Sequence, residues 1–235
     1  MFLADLHIGA PHVPIGRIDE LVAMANMADP DLILLGGDYI GHVLGGRKVP
    51  YDKIARSLGA LRARHGIIAV LGNHDHWDGN VGGLKDAFTK AGIVVLENEA
   101  RRVAVHGGHV WIVGMGDSSS GRADPIKAFR GIPFSSPMAE PVLVLAHDPG
   151  VFAMVPREVA LVLAGHTHGG QVRIPFAGAV VNASNAPLRH SRGVIREAGR
   201  LMYVTAGIGT SILPIRFNCP PEFAILTIGA EPLKR

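Results

Sequence analysis

The chain has a single cysteine, Cys219, among 235 residues. One thiol cannot close an intrachain disulfide or build a thiolate metal cage, and its ordinary use is as a small buried hydrophobe. No apolar run approaches the ~18 residues of a membrane span. No signal-peptide pattern fits before the first motif, which begins at Asp5. Aromatic residues make up 6% of the chain and charged residues 18%, with a net charge of +3. The basic residues are dispersed and not interleaved with aromatics, which argues against a nucleic-acid-binding module. There is no repeat, low-complexity tract or linker, so one domain is expected over 1–235.

What is present is a large apolar fraction, 48%, with 30 glycines and 16 prolines scattered as turn residues. Twelve histidines direct attention to metal chemistry. The first half reads as alternating strand and helix. Strands are expected at 1–4, 31–35, 66–71 and 93–96, and helices at 18–27, 51–64 and 81–91. This is the grammar of a layered α/β sheet. The second half is richer in strands, with a hairpin expected around Gly107-Gly108. Further strands are expected at 142–146, 159–164, 171–174, 178–182, 193–197, 201–206 and 223–228. Residues 117–137 read as a polar connection with one helical turn near 126–129.

Polar residues of one chemical kind recur where these apolar strands end. They are Asp5, His7, Asp38, Asn73, His74, His147, His166 and His168. Mixed α/β sheets gather functional groups at the carboxyl ends of their strands. Asp5 and His7 share a face if the first strand continues through them. Asp5, Asp38 and Asn73 are 33 and 35 residues apart, about one βαβ unit each time. Carboxylate, imidazole and amide donors without thiolate suit hard-to-borderline divalent metals. Seven donors are too many for one ion and fit two, with Asp38, after a glycine pair, as the bridging carboxylate. Two such ions would acidify a shared water and hold the oxygens of an in-line displacement. His74 would then protonate the leaving oxygen, with Asp75 orienting its imidazole.

Asp5-Leu6-His7, Gly37-Asp38, Gly72-Asn73-His74-Asp75, His147 and Gly165-His166-Thr167-His168 resemble, in order, the signature of the calcineurin-like metallophosphoesterases. His168-Gly169-Gly170-Gln171, Gly207 to Thr210, Pro214 to Phe217 and Pro221-Glu222 extend the likeness to the YkuE/YaeI-like bacterial phosphodiesterase branch. The resemblance implies a four-layer αββα sandwich with a dinuclear site. One ion would be held by Asp5, His7, Asp38 and His168, the other by Asp38, Asn73, His147 and His166. His74 matches the leaving-group acid. The ions would be manganese, iron or zinc.

The expected activity is hydrolysis of phosphodiester or pyrophosphate bonds by in-line attack of a metal-bridging hydroxide. A nucleotide- or lipid-linked substrate such as UDP-2,3-diacylglucosamine fits the branch. A broad phosphomonoesterase and a non-catalytic scaffold on the same fold are the alternatives. Many relatives carry an N-terminal hydrophobic anchor that is absent here, and 1–4 is short for a central strand. A missing N-terminal piece is therefore expected. The protein would be cytoplasmic, or peripheral at the membrane if such a piece is lost. His12, His42 and His76 are further candidates for the cleft wall. Arg173, Arg189, Arg192 and Arg216 are candidates for phosphate contact, and Trp77 is one for stacking on a base or covering an acyl chain.

Overall fold

The computed structural model describes residues 1–135 and 140–229. The first half contains β1 (Phe2–Leu3), β2 (Gly9–Ala10), α1 (Ile15–Met27), β3 (Ile33–Leu35), β4 (Arg47–Lys48) and α2 (Tyr51–Leu58). It continues with β5 (Ile67–Ala69), α3 (Asn73–Trp77), α4 (Val81–Lys90) and β6 (Ile93–Val95). The second half contains β7 (Glu99–Val105), β8 (Gly108–Gly114), α5 (Pro125–Ala128), β9 (Val142–Leu145) and β10 (Leu161–Ala164). It ends with β11 (Arg173–Ile174), β12 (Gly178–Ala179), β13 (Gly193–Glu197) and β14 (Arg200–Val204).

Two main sheets form. The first is parallel, in the order β1-β3-β5-β6. The second is mixed, in the order β13-β14-β10-β9-β8-β7, and its four central strands run parallel. Alternate residues along each strand point to opposite faces, and both faces are apolar because both are covered. Leu3, Ile33, Leu35 and Ile67 face α1, α2 and α4, meeting Ile18, Ile54, Leu58 and Phe88. Phe2, Leu34 and Ile68 face the second sheet and pack on Ile112, Leu143 and Leu163. On the far face of that sheet, Val144, Val162 and Val204 are covered by Phe152, Val155 and Ala128. The layers are thus helices, sheet, sheet and a thin helical cover, the αββα arrangement.

Several elements differ from the sequence-based expectation. The helix expected over 51–64 stops at Leu58. Asn26 explains this, because its side chain donates to Ala60 O and accepts from Arg62 N, engaging backbone groups that a helix would need. The strand expected at 223–228 reduces to one bridge, Ala224 to Phe2. The turn after β5 is a short helix, α3, which carries the Asn73-His74-Asp75 motif. The first strand ends at Leu3, so Asp5 and His7 are not strand neighbours. Both take left-handed backbone conformations, φ 55° and 44°. The last two residues of the expected 117–137 connection lie outside the described residues.

Candidate metal centre

β1, β3 and β5 of one sheet and β9 and β10 of the other all end at the same edge of the sandwich, and the chain after each delivers the polar residues. All seven sequence-predicted ligands converge there and all are buried. Five of them, Asp5, His7, Asp38, His166 and His168, have positive φ, between 44° and 68°. Such conformations cost of order 1–3 kcal/mol each and persist only where the surroundings over-determine them. Close backbone approach is part of that. Gly37 has φ 89°, and a side chain there would meet Gly72 N at 2.6 Å. One at Gly72 would strike the Asp38 carboxylate.

The donors fall into two groups joined by Asp38. In the first, His7 Nε2 lies 2.9 Å from His168 Nε2, and Asp5 completes a set within 4.8 Å. In the second, His147 Nε2 lies 3.0 Å from Asn73 Oδ1 and 3.1 Å from His166 Nδ1. Asp38 Oδ2 stands between them, 3.4 Å from His7 Nε2 and 3.3 Å from His147 Nε2.

The tautomers of the second group follow from their outer bonds. His147 Nδ1 donates to Gly36 O at 2.8 Å, and His166 Nε2 donates to Ala183 O at 2.9 Å. The neutral rings then turn their lone pairs inward, the arrangement that metal-ligating histidines share. Against the effect of burial, Asp38 and Asp5 raise His147 well above its usual range, and a cation would displace that proton.

The donor set fits divalent cations. Burial lowers His7 to about 3, so its ring is neutral and able to ligate. His168 is held well below its usual range, by burial first and then by His7 and Arg216. Burial lifts Asp5 to about 7, and a cation would restore its charge. Imidazole nitrogens aimed at one another across 2.9 Å, deep in the protein, have a simple chemical reason if a cation sits between such groups.

His74 lies at the mouth. Its Nδ1 is 3.1 Å from His42 Nδ1 and its Nε2 is 3.2 Å from Ser211 Oγ. His42 Nε2 is in turn 3.6 Å from Asp78. The Trp77 ring packs on His74 at 4.5 Å between centroids. This corrects the expected role of Asp75. Its carboxylate accepts from the backbone N–H groups of Asp38, Tyr39, Ile40 and Gly72 at 2.8–3.2 Å. It therefore fastens the Asp38 loop to the α3 turn and has no capacity left over to orient His74. The residues oriented on His74 are His42 and Ser211. His42 had a sequence signal, being a histidine in the glycine loop after Asp38. Ser211 had none.

Other candidates are placed elsewhere. His76 is buried 3.7 Å from Glu97, away from the mouth. His12 bonds Leu44 O at 3.0 Å, behind the loop that ends at the mouth, and does not reach the donor groups. Arg216 spends its guanidinium on the carbonyls of Ala206, Gly207 and Gly209, so it is a staple beside His168, not a free phosphate ligand.

A buried cup of aspartates, histidines and one amide at the strand ends of an αββα sandwich defines the class of metal-dependent phosphoesterases. The chain belongs to the calcineurin-like phosphoesterase family, whose model matches residues 1–170. It is 35% identical over 231 residues to the phosphodiesterase YaeI of Escherichia coli, covering 97% of this chain and 81% of that protein. It is 26% identical over 230 residues to the uncharacterized metallophosphoesterase YkuE of Bacillus subtilis, covering 96% of this chain and 77% of that one. Among solved structures, the Haemophilus influenzae NAD nucleotidase matches with a TM-score of 0.56 at 15% identity, over 87% of this chain and 44% of that one. The Mycobacterium tuberculosis phosphopantetheinyl hydrolase matches with a TM-score of 0.51 at 14% identity, over 90% and 88%. At such identities these two speak for the fold alone. The family uses divalent metals and the protein is a phosphoesterase. Among the described residues, no helix is long and apolar enough to cross a membrane.

Proposed function

We propose that residues 1–235 act as one domain that hydrolyses a phosphodiester or pyrophosphate bond in an amphiphilic substrate. The observation that carries this is the joining of two donor groups through Asp38, with His74 at their mouth. Two divalent ions of manganese, iron or zinc would be held, one by Asp5, His7, Asp38 and His168, the other by Asp38, Asn73, His147 and His166. When bound they would supply Lewis acidity toward the phosphoryl oxygens and acidify water.

The chain's own residues do the rest. Asp75 holds the two loops that carry Asp38 and Asn73 in register. Water adds to phosphorus and gives up one proton to solvent, the bond to the leaving oxygen breaks, and His74 gives that oxygen its proton and regains one from solvent. Burial lowers His74 to about 4, assisted by His42, His147 and His166. The negative charge of a substrate phosphate opposes this and favours the imidazolium that donates. His42, backed by Asp78, and Ser211 fix the ring.

The rim supports an amphiphile. Leu44, Trp77, Ile212 and Leu213 are exposed, and Leu44 N bonds Ile212 O beside Ser211. An apolar border at the mouth suits an acyl or aromatic group, as in a lipid-linked nucleotide such as UDP-2,3-diacylglucosamine. Such a substrate would be met at the cytoplasmic face of a membrane through peripheral contact. The phosphodiesterase activity in the name of the E. coli relative favours a diester over a monoester.

The test is turnover by the manganese-loaded protein of bis-p-nitrophenyl phosphate against p-nitrophenyl phosphate, followed by lipid-linked pyrophosphates. Faster diester cleavage that is lost in Asp38→Ala is expected. Preference for the monoester would overturn the diester reading.

A further inference from the structure

We propose a second anion site, distinct from the metal centre, that takes a phosphate group. It is a cavity of about 340 Å³ lined by Arg173, Arg189 and Arg192, with Ser191 and the apolar Ala177 and Leu188 completing the wall. None of the seven metal-ligand candidates lines it, and neither does His74.

Its charge is one-sided. No carboxylate lines it among the described residues. Arg189 pairs with Glu197 at 2.7 Å and Arg192 pairs with Glu222, each from outside the cavity wall. Glu197 is shared with His190 at 2.8 Å. Arg173 has no carboxylate within 4 Å among the described residues and is aimed by one bond, to Gly169 O at 2.9 Å. Arg189 and Arg192 are already paired, so Arg173 is the guanidinium left to attract an anion, and a polyvalent anion would reach the outer N–H groups of all three. The planar guanidinium fork matches the spacing of phosphate oxygens, and charge-assisted bonds of this type are strong. Monovalent chloride offers no comparable geometry.

The cavity also touches the metal loop. Thr167, between His166 and His168, donates through its hydroxyl to Ser191 O at 2.6 Å. Arg173 bonds Gly169, the residue after His168. An anion held here therefore sits against the segment that carries two ligand candidates. The phosphate has two sources. It is either a second phosphate of the substrate, which rests on the function proposed above, or a free phosphate, which does not.

The experiment is calorimetric titration of the metal-loaded protein with inorganic phosphate, which needs no turnover. Two sites are expected in the wild type. Ala177→Asp places a carboxylate on an exposed wall residue, so it should abolish one site or weaken it by ~10-fold or more. Arg173→Ala should do the same. Asp38→Ala should keep the site that these two lose. Thermal melts read by circular dichroism confirm that each variant is folded. One site in the wild type, or two sites kept in both pocket variants, overturns the proposal. The sources separate in kinetics. If the substrate supplies the phosphate, Ala177→Asp raises KM for a nucleoside-diphosphate-linked substrate while KM for bis-p-nitrophenyl phosphate stays put. If both stay put while the phosphate site is lost, the ligand is free phosphate.

Discussion

The two donor groups of the centre are built from similar residues but supported differently. In the group of Asp38, Asn73, His147 and His166, each imidazole is tied through its outer nitrogen to a backbone carbonyl. In the group of Asp5, His7 and His168, His7 Nδ1 is buried without a hydrogen-bond partner, and His168 Nδ1 faces the Arg216 guanidinium at 3.3 Å. An N–H to carbonyl bond orients the ring and raises its basicity, while a nearby cation lowers it. The lesson is that ligand identity alone does not rank two sites. The bonds behind the ligands do, and they predict that the Asp38–His166 group is the tighter one.

The strongest challenge to this comparison is Asp38→Ala. Asp38 lies within 3.4 Å of a histidine in each group, so its loss should empty both. Metal bound to the purified protein should fall in both groups together, and kcat/KM on a diester should drop by roughly 10³-fold or more. A variant that keeps one full equivalent and most of its activity would show that the groups are independent.

Asp75→Asn probes the backbone support of Asp38 and the α3 turn, which bears most on the tighter group. An amide cannot accept all four backbone N–H groups that the carboxylate now satisfies. Leaving one or two buried donors unpaired costs about 1–3 kcal/mol each, which lowers Tm by roughly 5–15 °C in a chain of this size. Affinity of the Asp38–His166 group should fall by ~10–100-fold, as for other outer partners of metal ligands, and Asp5–His168 should be less affected. Calorimetry of metal binding beside a thermal melt reads both.

Graded chelation then ranks the sites directly. Increasing chelator should remove metal in two steps, the first from Asp5, His7 and His168, at a chelator strength ~10-fold lower. His7→Ala should abolish the first step and His147→Ala the second. A single step, or the reverse order, would refute the ranking.

Much of this centre was legible in the sequence, and the illegible part has a physical pattern. Apolar strands ending in Asp, His or Asn singled out the seven residues that the structure brings together, because side-chain chemistry and its place after a strand are local facts. Backbone conformation was not legible. Asp5 and His7 were expected to share a strand face, but both are left-handed, a state that Asp and His enter more readily than most residues yet that residue type alone does not dictate. Asp75 was misassigned because spacing puts it beside His74, while tertiary folding brings four N–H groups from two loops around it. The early end of α2 escaped for the same reason. Its cause, Asn26, is more than thirty residues away from the backbone groups it bonds.

The smallest expected effect belongs to His42, which lies behind His74, a ring that itself comes within ligand distance of His7 and Asp38. His74 is held from one side by His42 and from the other by Ser211. Removing a general acid costs ~10²–10⁴-fold, so His74→Ala should lower kcat on that scale without releasing metal. His42→Ala leaves the acid in place and removes one of its two partners, so it should cost kcat about 10-fold or less, with KM and metal content unchanged. The loss should shrink on a diester with a good leaving group such as p-nitrophenolate, because that oxygen needs little protonation. It should grow on an alkyl ester. An equal loss on both substrates would mean that His42 supports the fold near Asp78 and has no part in aiming the proton.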